Sequence, residues 1–375
     1  MHNFVSRFNL IGISMITNLD GTSLRSAGLP GGTSLYELHV PQLRNRYYLV
    51  SGPGSRAMEA FPEIVGFPCY TALLDEIVDS FRFLLSNGLG EDIDIFTILR
   101  GGLNYPLEEA AFRCGMRVRN MHFVSCERVA ENHVIKGLRI KYDKIYTTRD
   151  RVLAVGDILA TGDTFRYCFE HLMRKFLQEG GSIRRIIFFT IGGTRAFRLM
   201  EDLSAKLRAM FAGFEGIDCF FFEGAFTVYE DNGVSGINHP DIDFGWKGGV
   251  VTPEFRRFIV QDNPEALLEK CIIYDGGARR YQLPVHFDEV LEYWEGILKR
   301  ADRIDVRALL EEKLGYAGPV EFEDWLDITH LRGIKDLEPL WAAEQALLQS
   351  NIDLKDLAGR RIESINNLKQ QYEKE

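Results

Sequence analysis

The residues best suited to chemistry fall in one run, Arg151-Val152-Leu153-Ala154-Val155-Gly156-Asp157-Ile158-Leu159-Ala160-Thr161-Gly162-Asp163-Thr164. Its apolar start reads as a buried parallel strand. The strand delivers one carboxylate, Asp157, to a turn of small and hydroxylated residues. Phe165, Cys168, Phe169, Leu172 and Phe176 then recur at helical spacing, so the turn opens an amphipathic helix. N–H groups at a helix start bind an anion, and a carboxylate beside them accepts from hydroxyls. A sugar phosphate satisfies both. The competing reading is a plain strand-turn-helix of an α/β sheet, which needs no ligand.

A second constellation lies upstream. Ile93 to Leu99 reads as a strand, followed by Arg100-Gly101-Gly102-Leu103-Asn104-Tyr105-Pro106 and a helix from Leu107 to Cys114. Glycines let a backbone approach a ligand closely, and Arg100 can set a guanidinium against pyrophosphate. Taken alone, Arg-Gly-Gly is also what an ordinary turn contains.

Together the two segments resemble the type I phosphoribosyltransferases, which bind phosphoribosyl pyrophosphate (PRPP). That family runs an apolar strand into two acidic residues, two apolar residues, a variable residue and Thr-Gly-x-Thr. Here Asp157 holds the second acidic position, Gly156 stands where the first acid is expected, and Ala160, Thr161, Gly162, Asp163 and Thr164 form the phosphate loop. Arg100, Gly101 and Gly102 match the family's pyrophosphate loop. The resemblance implies Mg²⁺-dependent transfer of a phosphoribosyl group from PRPP to a nitrogen acceptor, most simply a nucleobase, with release of pyrophosphate. It implies Asp157 as the residue addressing the ribose hydroxyls and the metal. Family enzymes for hypoxanthine and guanine carry an acid where Ala160 stands, so those two bases are not expected as acceptors. The glycine at 156 keeps a second reading open, a non-catalytic regulator that binds PRPP or a nucleotide.

Between the loops, Ser125 to Arg151 is locally basic, with Arg128, Lys136, Arg139, Lys141, Lys144 and Arg149. It reads either as a solvated hairpin or as a lid bringing cations to the leaving pyrophosphate, with Lys136 and Arg139 flanking Gly137 as the candidate catalytic cations. A ring-capping element is sought in Asn238 to Gly249, where Phe244 or Trp246 would stack on a base and Asp241 or Asp243 would accept from it. The same loop can equally plug the edge of the core.

The elements that must position these groups alternate. Strands are expected at Ile93–Leu99, Arg117–Val124, Val152–Val155, Ile183–Ile191 and Cys219–Glu223, with helices near 107–114, 163–178 and 195–212. That pattern predicts an α/β fold with a doubly wound parallel sheet. Tyr70 to Leu85 is expected as one amphipathic helix. The expected organisation is a strand- and loop-rich N-terminal extension over 1–65, a phosphoribosyltransferase-like α/β domain over 66–285, and a helical C-terminal domain over 286–375. Within the first part, Phe4 to Ile16 and Tyr47 to Val50 look strand-like.

Composition agrees with an enzyme of this kind. The 375 residues are 46% hydrophobic and 12% aromatic, enough for a large core. A net charge of -10 argues against general nucleic-acid binding. No apolar run reaches the length of a membrane span, and no signal-peptide pattern opens the chain. The six cysteines lack CxxC spacing and read as reduced thiols in a cytoplasmic protein. The partners expected are PRPP, a small nitrogen acceptor and a second copy of the chain in a homodimer, without nucleic acid or membrane.

Overall fold

The runs rich in β-branched and aromatic residues become strands close to where the sequence places them. The computed structural model describes residues 19, 21–28, 32–131, 134–229, 232–237, 244–269 and 276–373. Its strands are β1 (Ser23–Ser26), β2 (Ser34–His39), β3 (Arg46–Ser51), β4 (Asp92–Leu99), β5 (Arg117–Glu131), β6 (Val134–Lys144), β7 (Arg151–Gly156), β8 (Ile183–Gly193), β9 (Gly216–Val228) and β10 (Phe244–Val251). They form one sheet in the order β1-β2-β3-β9-β8-β7-β4-β5-β6, with β10 pairing antiparallel to β9. β3, β9, β8, β7, β4 and β5 are mutually parallel, and antiparallel strands close both edges.

The centre of the sheet is where the winding reverses. From β4 the chain crosses to β5 through the helix Leu107–Arg113; from β7 it moves the opposite way, to β8 and β9, through Asp163–Gln178 and Arg195–Met210. β4 and β7 are neighbours, with Asp94, Ile95 and Phe96 opposite Leu153, Ala154 and Val155. Loops leaving their carboxyl ends therefore face each other across the crevice where open α/β sheets bind ligands.

Both faces of the sheet are covered because the central strands are apolar on both sides. On one face Phe96, Leu153, Val155, Phe188 and Phe221 pack with Phe165, Phe169, Phe176 and Phe197 of the crossover helices. On the other, Ile93, Ile95, Val152, Phe189 and Phe220 pack with Ile77, Phe81, Leu107 and Ala110. Each such phenylalanine contributes roughly 1.5–3 kcal/mol on burial.

The helix expected over Tyr70 to Leu85 is two helices, Gly66–Thr71 and Leu74–Ser86, separated where Leu73 leaves helical geometry. The backbone of Gly54 presses on the Ala72 carbonyl at this break, with only 1.9 Å available to a side-chain carbon. The segment 23–51 supplies β1, β2 and β3 to the common sheet, whereas the Phe4 to Ile16 run lies outside the described residues. The C-terminal helices, including Leu283–Arg300 and Leu354–Tyr372, bury Val290, Trp294, Trp325 and Ile365 in the same core as the first face. Buried Arg256 donates to Glu344 at 2.8 Å, and Tyr316 and Trp325 donate to the other Glu344 oxygen at 2.7 Å each. Among the described residues no helix is long and apolar enough to cross a membrane.

Candidate functional site

The two loops singled out in the sequence touch. Beyond β4 the chain passes through a cis Leu99–Arg100 peptide into a single 3-10 turn, Gly101–Asn104. A side-chain carbon on Gly101 would lie 2.9 Å from Asp157 Oδ1, and one on Gly102 would lie 3.2 Å from the Gly156 carbonyl. Only glycines let the loops approach this closely.

Asp157 follows β7 directly. Its N–H donates to the Phe189 carbonyl at 3.1 Å, continuing the pairing with β8, and its Oδ1 accepts from the Ile158 N–H at 2.9 Å. Burial pushes the carboxyl up to about 7, with the Ile158 hydrogen bond opposing the rise. A carboxyl poised there is ready to ionise when a cation or a hydroxyl donor arrives. The loop then bridges Leu159 to Gly192 and turns through Gly162, at φ +76. The positive φ favours glycine here, and a side chain on it would also have to displace the Leu199 tip, 2.5 Å away. The helix Asp163–Gln178 starts here, and its first turn offers N–H groups without intrahelical acceptors. Thr161 and Asp163 are exposed, Thr164 is half-buried and Ala160 is buried. Exposed Asp163 occupies the first helical position, where a carboxylate favours the helix dipole.

Gly156 has a structural explanation. Tyr105, buried at the end of the first loop, fills the space beside it, leaving 2.4 Å between a side-chain carbon at 156 and Tyr105 Cγ. The Tyr105 hydroxyl donates to the Asp157 carbonyl at 3.0 Å and accepts from the Ile191 N–H at 3.1 Å. One ring thus ties the first loop to the Asp157 loop and to β8.

Sequence reasoning missed a cap on the first loop, the helix Gly276–Tyr281. Arg279, in the helix Gly276–Tyr281, donates to the Met58, Phe61 and Ile64 carbonyls. Arg280 donates to the Leu103 carbonyl within the first loop, and exposed Arg100 donates to Gln282 at 3.2 Å. Between cap and loops is a cavity of about 20 Å³, room for about one water, lined by Met58, Cys69, Leu73, Asn104, Tyr105, Ile158, Ile191 and Arg279. Asn104 donates to the Gly101 carbonyl, and its buried Oδ1 has no hydrogen-bond partner. The pair of adjacent arginines was the one available sign, and nothing in its spacing tied it to a loop so far away in sequence.

Other candidates stand elsewhere. The basic run forms the antiparallel β5–β6 hairpin, in which Glu127 lies opposite Arg139 and pairs with it and with Lys141. Lys136 is in β6, and its side chain lies outside the described residues. Phe244 and Trp246, sought as exposed ring-capping residues, are instead core residues of β10, 6% and 7% exposed. The cause is β10 pairing with β9, which turns the rings toward Phe226 and Phe255 and sets the Arg256 guanidinium 4.7 Å from the Trp246 ring centre. Asp241 and Asp243 lie outside the described residues. Among the described residues no three His, Cys, Asp or Glu side chains gather as a metal site.

No protein-family model matches this sequence, and no curated protein matches it. Solved structures similar to part of it include a protein of Aquifex aeolicus, 16% identical over 44% of this chain and 80% of that one, with a TM-score of 0.32. Another is a hypoxanthine phosphoribosyltransferase of Staphylococcus aureus, 13% identical over 40% and 73%, TM-score 0.26. A third is an adenine phosphoribosyltransferase, 12% identical over 41% and 84%, TM-score 0.25.

Proposed function

We propose that the chain is a phosphoribosyltransferase that moves the phosphoribosyl group of PRPP to a nitrogen acceptor, with release of pyrophosphate. The observation that carries this reading is the contact between the Arg100–Asn104 and Asp157–Thr164 loops at the reversal point of the sheet, with Gly101 against the Asp157 carboxylate. In this reading the acceptor nitrogen forms a bond to the anomeric carbon, the bond to the pyrophosphate oxygen breaks, and the acceptor's proton leaves to solvent. Asp157 accepts from the ribose hydroxyls. The first turn of Asp163–Gln178 and the Thr161 and Thr164 hydroxyls hold the 5′-phosphate, and Arg100 faces the pyrophosphate.

The donor set fits Mg²⁺ only as an ion that arrives with the ligand. One buried carboxylate, Asp157, suffices for an ion that keeps its waters and takes phosphate oxygens, and no dedicated cage of side chains exists among the described residues. Bound there, the ion would neutralise charge on the departing pyrophosphate. The residues of the chain bind and orient.

A second reading is favoured by one feature. With Tyr105 in the place of a side chain at 156, the site offers a single carboxylate, which suits a regulator that binds PRPP or a nucleotide without turning it over. One experiment separates the two: incubation with PRPP, Mg²⁺ and adenine, uracil or orotate, following pyrophosphate release beside calorimetric binding. Acceptor-dependent release above that of Asp157→Ala supports the enzyme; binding without release supports the regulator. No binding by folded protein excludes both.

A further inference from the structure

We infer that Arg280, from the cap, is the second cation of the pyrophosphate subsite, so that the leaving group is held between Arg100 and Arg280. This rests on the transferase reading above and names a residue that the loop motifs do not contain. Three observations converge on it. Arg280 donates to the Leu103 carbonyl, so its guanidinium lies on the same short turn that Arg100 opens. It sits 4.0 Å from the Tyr70 ring centre and 4.8 Å from that of Tyr281. Ring faces hold a guanidinium without neutralising it, because a quadrupole carries no net charge, which leaves its charge for an anion. Among the described residues Arg280 makes no ion pair with a carboxylate. Glu109, which acts on the neighbouring Tyr70, is engaged by Arg113 at 2.6 Å.

The contrast with the hairpin sharpens the assignment. Arg139 bonds to Glu127, which lies opposite it within the β5–β6 hairpin and also takes Lys141, rather than to the Arg100 turn. Arg280 instead meets the loop at a backbone carbonyl, and Gln282 two residues on meets Arg100. The cap therefore contributes charge to the site. The ligand chemistry is a diphosphate, either free inorganic pyrophosphate or the pyrophosphoryl end of PRPP.

The test is calorimetry on the full chain with Mg²⁺ and inorganic pyrophosphate, and separately with PRPP. Arg280→Ala should weaken pyrophosphate binding tenfold or more and flatten its dependence on salt concentration. Arg280→Lys should bind several-fold more weakly than wild type, keeping charge but losing the stacked plane. Arg332→Ala, a surface arginine paired with Glu323 and Asp327, should bind as wild type. Wild-type affinity in Arg280→Ala, or a loss in Arg139→Ala matching that in Arg280→Ala, overturns the assignment while leaving the transferase reading intact. If Arg280→Ala melts below the assay temperature, Arg280→Lys decides, and wild-type affinity in that variant also overturns it. Failure of the folded wild type to bind either ligand removes the transferase reading and this inference together.

Discussion

Replacing Gly156 with alanine should destabilise the protein through a single collision. The added carbon would stand 2.4 Å from Tyr105 Cγ, 2.5 Å from Cβ and 2.9 Å from Cδ2. These atoms belong to the near end of the ring, which cannot swing aside as a flexible tip would. Tyr105 is 4% exposed and its hydroxyl is bonded at both Asp157 and Ile191. Overpacking of this kind costs about 1–3 kcal/mol, and moving the ring weakens two hydrogen bonds of about 1 kcal/mol each. With each bond about half lost, the sum is about 2–4 kcal/mol, read by urea unfolding as a lower midpoint at unchanged slope. The collision hypothesis requires a partner effect. In a Tyr105→Ala background the same Gly156→Ala change should cost under about 0.5 kcal/mol, giving a coupling of about 1.5–4 kcal/mol in the double-mutant cycle. Additive costs in the two backgrounds would refute the reasoning. In the transferase reading the same geometry bears on activity: Gly156→Asp alone should not add a working carboxylate, whereas Gly156→Asp with Tyr105→Ala makes room for one. Pyrophosphate release by the two variants checks this.

Asp157→Asn should abolish most PRPP affinity, because a charge-assisted contact of about 1.5–3 kcal/mol is lost, yet it should stabilise the free protein. The Asp157 carboxyl is raised to about 7, so the folded state holds a proton that the unfolded state releases near pH 4, and stability falls as pH rises between those values. The stability gap between Asp157→Asn and wild type should therefore widen from pH 4 to about 7 and then level, by on the order of 1–4 kcal/mol; a flat difference in urea unfolding across that range would contradict it. Trp246→Ala should lower stability by about 3–5 kcal/mol through a core cavity, while PRPP affinity of the folded variant stays at wild type in calorimetry. Glu344→Ala leaves buried Arg256 unpaired and should cost about 3–5 kcal/mol, and circular dichroism should show the C-terminal helices and the sheet melting together because they share one core.

How much the sequence reveals depends on how local the physical cause is. The strand at Val152–Val155, the glycine at 162 and the helix from Asp163 are each set by their own residues, so the Asp157 loop is readable from spacing alone. The Arg100 loop is readable for the same reason. β10 is not: the order Phe244-Gly245-Trp246-Lys247-Gly248-Gly249 looks like a loop by its glycines. Pairing with β9 converts it into a strand, with a register shift between Gly245 and Val250, and buries both rings. Tertiary pairing overrides local composition here. The Arg279–Arg280 cap is hidden more deeply, since its partners at Met58, Leu103 and Tyr70 are remote in sequence and are backbone carbonyls and a ring face rather than charges.

The departure at Gly156 looks like a lost carboxylate when the loop is considered alone, and like a gained contact when Tyr105 is placed beside it. A carboxylate at 156 would have served the ligand only; the tyrosine serves the protein, by fixing the Asp157 carbonyl and the Ile191 amide to the loop that carries Arg100. The two loops are then one rigid unit rather than two that a ligand must bring together. Rigid placement lowers the ordering cost of binding, which offsets part of what a second carboxylate would contribute. The arrangement also concentrates function on fewer groups. In the transferase reading one carboxylate addresses the sugar and each remaining polar contact carries more of the affinity, so Asp157→Asn and Arg280→Ala should each cause a larger loss than Thr161→Ala, whose hydroxyl would share the phosphate with neighbouring N–H groups. Measuring PRPP affinity for all three variants checks that order, and a loss in Thr161→Ala equal to that in Asp157→Asn would show the phosphate loop, rather than the sugar contact, to dominate.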